Sequence, residues 1–359
     1  MRMIDFRSDT VTRPTDGMRE AMARAVVGDD VFDEDPTVHE LEERMAGLLG
    51  KGAGLFVASG TMANLVAILS HAGRGDEMII GDLSHTFLYE VGGAAALGGV
   101  HPHVLANLDD GTMALDEIES AIRDAADVHM PLSRLICLEN THNRCGGVIL
   151  PTGYAASIAT LAARHGLLLH LDGARLFNAA VALGVPPAEL AASFDSVTVC
   201  LSKGLGAPIG AVLCGDRAFI ERARRNRKMV GGGMRQVGIL AAAGLYALDH
   251  HVERLADDHA NARRLAEGIG EIEGLSSHQA DASPGAGWTN LVYFDIDGEA
   301  VGDPQLDAAA LAERLQRRGV LAIPLGRNRN RMRMVTHLDV ESSDIDAAID
   351  ALRSAVAGT

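Results

Sequence analysis

Three short stretches hold residues whose types could do chemistry together. Lys203 follows the β-branched and apolar run Val197 to Leu201 and precedes a turn containing Gly204, Gly206 and Pro208. Such a lysine can simply snorkel to water from the end of a buried strand. Its amine can also form a Schiff base with an aldehyde cofactor. Asp172 sits in HLDGARLF, where an aspartate ahead of a Gly-Ala turn can be an Asx-turn residue. Read as chemistry, it is a carboxylate that keeps a pyridine nitrogen protonated, and a protonated ring accepts the electrons of a carbanion. Ser59, Gly60 and Thr61 open the apparent helix MANLVAIL. They serve as ordinary caps, or they present amides and hydroxyls to a phosphate at the positive end of the helix dipole. A phosphate cradle, a ring-nitrogen carboxylate and a strand-end lysine are the three parts of a pyridoxal 5'-phosphate site.

The elements that must position these residues are legible as short apolar runs. EMIIGD, RLICLEN, GLLLHLDGA and SVTVCLSK are nearly continuous apolar segments with helical sequence between several of them. That pattern predicts strands covered on both faces, hence a mainly parallel sheet in an α/β domain. In open α/β sheets, ligands bind at the carboxyl ends of the strands. Ser59-Gly60-Thr61, Asp172 and Lys203 all fall there. DPTVHELEERMAGLLG has helical spacing and ends at Gly50. The stretch 235–269 reads as helical, and beyond it the strands TNLVYFDID and RMRMVTHLD flank the helix DAAALAERLQRRG. The expected organisation is an N-terminal arm over 1–20, a cofactor-binding large domain over 21–249 and a smaller C-terminal α+β domain over 250–359.

Composition narrows the partners. A chain of 359 residues is long enough for two domains. Its formal net charge of −16 disfavours nucleic acid and anionic membrane. An anionic ligand therefore needs local positive features. The N-terminus is broken by Arg2, Asp5, Arg7 and Asp9 and has no signal-peptide pattern. Cys137, Cys145, Cys200 and Cys214 lack CxxC spacing and read as buried thiols of a cytoplasmic protein, with no disulfide and no metal site.

The segments DFRSDTVTRP, GDDVFDEDPTVHELE, SGTMANLVA, LENTHN, LHLDGARLFNA, CLSKGLGAPIG, KMVGGGMRQ and RMVTHLDV resemble the L-threonine aldolases of the β-eliminating lyase group. The resemblance runs from about residue 4 to about residue 350. It implies fold type I and pyridoxal phosphate, with Lys203 as the Schiff-base lysine and adjacent glycines that let the cofactor approach. It further implies that Asp172 pairs with the pyridine nitrogen, that Arg175 lies near the phenolic oxygen and the substrate carboxylate, and that His85 stacks on the ring. Ser8 and Arg333 match groups that bind the substrate carboxylate, and Arg235 matches an arginine reaching the phosphate of a neighbouring subunit in a homotetramer. His129 aligns with a histidine at the substrate hydroxyl; alone it reads as a loop residue.

The implied reaction is retro-aldol cleavage of L-threonine, L-allo-threonine and related β-hydroxy-α-amino acids such as phenylserine, giving glycine and an aldehyde. His85, His129 or a held water is the candidate base. Another lyase or aminotransferase activity on the same scaffold is the alternative. A dinucleotide-binding reading of GLGAPIG lacks both the G-x-G-x-x-G spacing and a downstream acid. Arg327, Arg329 and Arg331 precede Arg333 at intervals of two. If the strand extends that far they share one face with it; otherwise they form an exposed basic loop.

Overall fold

A computed structural model of the protein describes residues 2–279, 289–325 and 329–358. The chain opens with β1 (Ile4–Asp5) and then builds a seven-stranded sheet from β2 (Ala53–Val57), β3 (Asp76–Gly81), β4 (His101–Leu105), β5 (Leu132–Glu139), β6 (Leu168–Asp172), β7 (Ser196–Cys200) and β8 (Ala211–Gly215). The order across it is β2-β8-β7-β6-β5-β3-β4. The pairs β7-β6, β6-β5, β5-β3 and β3-β4 are parallel, and β8 runs antiparallel to both its neighbours. Six strands therefore share one direction.

Alternate side chains feed two helical layers. Phe56, Leu169, Leu171 and Val197 pack with Leu41 and Met45 of the helix Pro36–Leu48 and with Ile158 and Leu161 of the helix Tyr154–His165. Leu55, Val57, Cys200 and Leu213 pack on the other face with Ala63 and Val66 of the helix Gly60–His71 and Phe219 of the helix Arg217–Met229. Burial on both faces is why these strands read as unbroken apolar runs.

Two strands escape that reading. β4, HPHVL, carries Pro102 and lies at the sheet edge, where a residue without an N–H is tolerated. β8 follows β7 after the tight turn 201–210, inside the stretch that looks like one glycine-rich loop. Its glycines have local reasons. Gly206 and Gly210 have φ of 75° and 104°, a region that favours glycine. A Cβ on Gly206 would lie 2.9 Å from Leu338, one on Gly210 2.5 Å from Phe56, and one on Gly204 3.0 Å from Leu255. These contacts give each of the three glycines a packing reason of its own. Because GLGAPIG joins two antiparallel strands with no helix after it, the strand-turn-helix context of a dinucleotide site is absent here as well.

The stretch 235–269 forms two helices, Gly238–His250 and Leu255–Gly270. Neither Gly nor Pro marks the break. Buried His251 instead donates from Nδ1 to the carbonyl of Leu205 at 2.7 Å, a tertiary contact that stops the first helix.

A second sheet contains β9 (Leu275–Ser277), β10 (Leu291–Ile296), β12 (Ile323–Pro324) and β13 (Arg331–Val335) in the antiparallel order β12-β13-β10-β9. Between them in sequence, β11 (Val320–Leu321) pairs in parallel with β1 and ties the N-terminal segment to this region. One face places Val292, Phe294, Met332 and Met334 against the helices Leu255–Gly270, Ala308–Arg317 and Ser342–Val356. The opposite face carries Tyr293, Asp295, Arg331 and Arg333, and Tyr293 reaches across to the large sheet by donating to the carbonyl of Asn143 at 2.6 Å. Among the described residues no helix is long and apolar enough to cross a membrane.

Candidate active site

The polar groups gather where the parallel strands end. β2 leads into Ser59, whose Oγ caps the helix Gly60–His71 by accepting from the amide of Met62 at 3.1 Å. The amides of Gly60 and Thr61 open that helix, and the first amides of a helix have no intrahelical acceptor. β3 leads to His85. Its amide donates to Glu139 Oε2 at the end of β5 at 2.7 Å, and Glu139 Oε1 accepts from the amide of Asn143 at 2.9 Å. One buried carboxylate thus fixes two loops. β6 ends in Asp172, and β7 leads to half-buried Lys203, whose carbonyl accepts from Thr12 Oγ1 at 3.2 Å.

Asp172, His85 and Glu90 bring side-chain atoms within 4.8 Å of one another. Asn64 Nδ2 donates to Asp172 Oδ2 at 2.8 Å and to Glu90 Oε1 at 2.9 Å. His85 Nδ1 lies 3.0 Å from the same Glu90 oxygen. That hydrogen bond raises the His85 pKa against the effect of burial, with the charge of Asp172 adding and that of Lys203 subtracting. Burial also lifts Glu90 above the usual carboxylate range, with Asp172 adding to the rise, and its bonds from His85 and Asn64 offset only part of this. A low-dielectric pocket with two carboxylates close together disfavours both being charged beside a neutral imidazole.

Arg175, which follows Asp172 closely in sequence, is paired with a carboxylate. Its Nε and Nη2 each donate at 2.7 Å to the two oxygens of buried Asp9. Burial works to raise Asp9, yet Arg175, with Lys203 also contributing, holds it well below the usual range. Asn290 adds a bond to Asp9 at 3.3 Å. Ser8 caps the short turn that contains Asp9, accepting from the amide of Thr10 at 3.2 Å. Arg333, opposite Tyr293 in the second sheet, donates from Nη1 to Asn143 Oδ1 and from Nη2 to the carbonyl of Arg7, both at 3.0 Å. Its buried Nε has no partner among the described residues.

The structure thus brings together Ser59, Gly60, Thr61, His85, Asp172, Arg175 and Lys203 around the strand ends, with Ser8 and Arg333 on the facing side. It does not bring in His129. That residue precedes β5, whereas Asp172 ends the parallel neighbour β6, so the eight residues of β5 separate them, roughly 25 Å at about 3.3 Å per residue. His129 is 88% exposed and bonds to Asp127 at 2.9 Å. Within one chain, a loop at the amino edge of the sheet cannot reach the carboxyl edge. Arg235 is exposed too, donating to Asp29 at 3.0 Å with its guanidinium 5.7 Å above the Phe32 ring.

Of the other arginines, Arg331 shares the Arg333 face as period two requires, but its Nε and Nη2 each donate to Asp295 at 2.8 Å. Arg329 pairs with Asp307 in an exposed turn, and Arg327 lies outside the described residues. Cys137, Cys200 and Cys214 are buried, whereas Cys145 is only half-buried, a departure from the expectation for all four. Sequence reasoning missed Asp9, Asn64, Glu90, Glu139 and Asn143. Asp9 and Glu139 stand inside the motifs RSDT and LENTHN without a role, and no periodicity links Asn64 to Glu90.

The donor set fits pyridoxal 5'-phosphate. A buried arginine nitrogen without an acceptor awaits an anion, a helix start offers amides, and a carboxylate and an imidazole flank the strand-end lysine. Together with the sheet order, these features define an α/β pyridoxal-phosphate enzyme of fold type I. Residues 5–287 match the family described as Beta-eliminating lyase. The chain is 47% identical over 358 residues to low-specificity L-threonine aldolase 1 of Arabidopsis thaliana, covering 99% of this chain and 97% of that one. It is 46% identical over 345 residues to the low specificity L-threonine aldolase of Escherichia coli K12, covering 96% of each. A solved threonine aldolase structure from Leishmania major shares the fold, with a TM-score of 0.79 at 22% identity over 98% of this chain and 99% of that one. The chain belongs to the beta-eliminating lyase family.

Proposed function

We propose that the protein cleaves L-threonine, L-allo-threonine and related β-hydroxy-α-amino acids to glycine and an aldehyde. The observation that carries this reading is the convergence of Asp172, His85 and the Lys203 turn at the strand ends, facing an arginine with a buried unpartnered donor. The identity to the two aldolases supports it.

When bound, pyridoxal phosphate supplies an aldehyde for amines and a protonated ring that takes up the electron pair of the broken Cα–Cβ bond. Lys203 would hold the cofactor aldehyde through its amine. Asp172, as a carboxylate, would keep the ring nitrogen protonated by accepting its hydrogen bond. The Gly60 and Thr61 amides and Ser59 face the phosphate. Arg333 grips the substrate carboxylate with the help of Ser8, which fixes the rotation about Cα and so chooses the bond that breaks. Arg175, balanced by Asp9, lies beside the ring as a positioning group. His85 donates from Nδ1 to Glu90, leaving Nε2 to accept the β-hydroxyl proton directly or through a held water. The aldehyde then leaves, and a proton returned to Cα gives glycine.

The division into an arm at 1–20, a large domain at 21–249 and a small domain at 250–359 is supported by two separate buried cores. Assembly is part of the proposal. A Cβ on Gly232 would collide with the Met62 sulfur, so the glycine-rich turn before Arg235 packs on the first turn of the phosphate-side helix. Arg235 is exposed and lies over the ring of Phe32, which is 70% exposed. This surface suits a second copy whose phosphate Arg235 completes, within a tetramer. A fully active monomer in sedimentation would contradict it.

The test of function is the holoenzyme with L-threonine, following acetaldehyde and glycine. The Lys203→Ala variant should keep its fold and lose both turnover and the visible absorption of lysine-linked cofactor. Formation of a keto acid without aldehyde would favour the aminotransferase alternative.

A further inference from the structure

Behind Asp172 lies a line of buried polar groups that the reaction as described does not use. His71 Nε2 is 2.7 Å from Ser196 Oγ, and Ser196 Oγ is 2.8 Å from His170 Nδ1. His170 Nε2 is 3.2 Å from Asn64 Oδ1. The Asn64 amide then donates to Asp172 and Glu90, with Thr86 Oγ1 also 3.2 Å away. Asn64, His170 and Ser196 are each at most 1% exposed.

The direction of every bond follows from proton counting. An amide oxygen only accepts, so His170 carries its proton on Nε2. Burial pushes the pKa of His170 down to about 4 and that of His71 down to about 3, so both rings are neutral. Neutral His170 accepts at Nδ1, and the single Ser196 proton goes there. Ser196 must then accept from His71 Nε2. Each bond therefore donates towards Asp172, and aligned bonds of this kind reinforce one another.

We propose that Asn64, oriented by the chain His71, Ser196 and His170, is a positioning residue that keeps the shared proton on the cofactor's ring nitrogen and off Asp172. A carboxylate that accepts strong bonds is a weaker base. Without the Asn64 donor, Asp172 draws the proton to itself, and the ring loses the positive charge that stabilises the carbanion. The inference rests on the assignment of Asp172 as the ring-nitrogen partner.

The experiment loads the holoenzyme with cofactor labelled with 15N at the ring nitrogen and reads that nitrogen by NMR, alongside cofactor affinity and exchange of the glycine α-proton with solvent. The wild type should show the protonated ring. Asn64→Ala should move the signal towards neutral pyridine and slow glycine exchange by roughly ten- to a hundredfold, the size of one hydrogen bond to a charged group. Ser196→Ala, a small change that breaks the chain two links away, should move both readouts the same way by less. Asp172→Asn is the control: a protonated-ring signal retained there overturns the assignment of Asp172 itself. If Asp172→Asn shifts the signal while Asn64→Ala and Ser196→Ala leave it at the wild-type position, the role of Asn64 is overturned. Should Asn64→Ala fail to fold, Ser196→Ala decides, and an unchanged signal overturns the proposal.

Discussion

The two sides of the site are finished to different degrees. On the large-sheet side the carboxylates have donors: Asp172 and Glu90 share Asn64, Glu139 takes two amides, and Asp9 takes Nε and Nη2 of Arg175. On the small-sheet side a donor lacks an acceptor, since Arg333 uses Nη1 and Nη2 on Asn143 and Arg7 while its buried Nε has no partner among the described residues. A buried unpaired donor is costly, and a cationic one more so. Under the proposed function, the side with paired carboxylates would seat the cofactor ring. The Arg333 side would then receive the substrate carboxylate, since its Nε is a buried donor with room for an acceptor. Two arginines near one carboxylate are therefore not equivalent. The charge of Arg175 is already neutralised by Asp9, whereas Arg333 has no carboxylate partner among the described residues and keeps a buried Nε free.

The largest expected effect comes from unbalancing the finished side. Asp9→Asn leaves the Arg175 charge buried without a counter-ion, which costs about 3 to 5 kcal/mol. Denaturant unfolding at neutral pH measures it, and a loss below about 1 kcal/mol would show that the pair is dispensable. The sign with pH is fixed by the depressed Asp9 pKa: its contribution is complete above the ordinary aspartate value of roughly 3.9 and is lost only as pH falls below that, through its folded value.

A smaller effect belongs to the His85 and Glu90 pair. Glu90 raises His85, and a catalytic base must be neutral, so activity fails as pH drops through the His85 pKa. Glu90→Gln removes the carboxylate and should move the acid limb of the kcat/KM profile to lower pH. An unmoved limb would exclude His85 as the base.

Much of this was legible in the sequence, for physical reasons. Buried strands show as apolar runs, and chemistry placed at their ends follows them, so Asp172, Lys203 and the Ser59 turn are readable in place. β8 was hidden because a tight antiparallel return needs glycines that look like a ligand loop. The break after His250 depends on the contact from His251 to Leu205, which no local pattern records. Asn64 and Glu90 are invisible for the same reason, as each matters only through partners far away in sequence. His129 differs again: its alignment gives no information on which end of a strand its loop occupies, and within one chain that end is the far one.

The central claim is that Arg333, and not the arginines before it, anchors the substrate carboxylate. Spectroscopic titration of the holoenzyme with glycine tests it directly, because glycine keeps the carboxylate and has no side chain. Arg333→Ala should weaken glycine binding at least about thirtyfold, the loss of a charged hydrogen-bond partner. Replacing Arg327, Arg329 and Arg331 together by Ala should change glycine binding by less than about threefold, as expected of surface pairs. Equal losses in the two variants, or an unchanged affinity in Arg333→Ala, would contradict that claim.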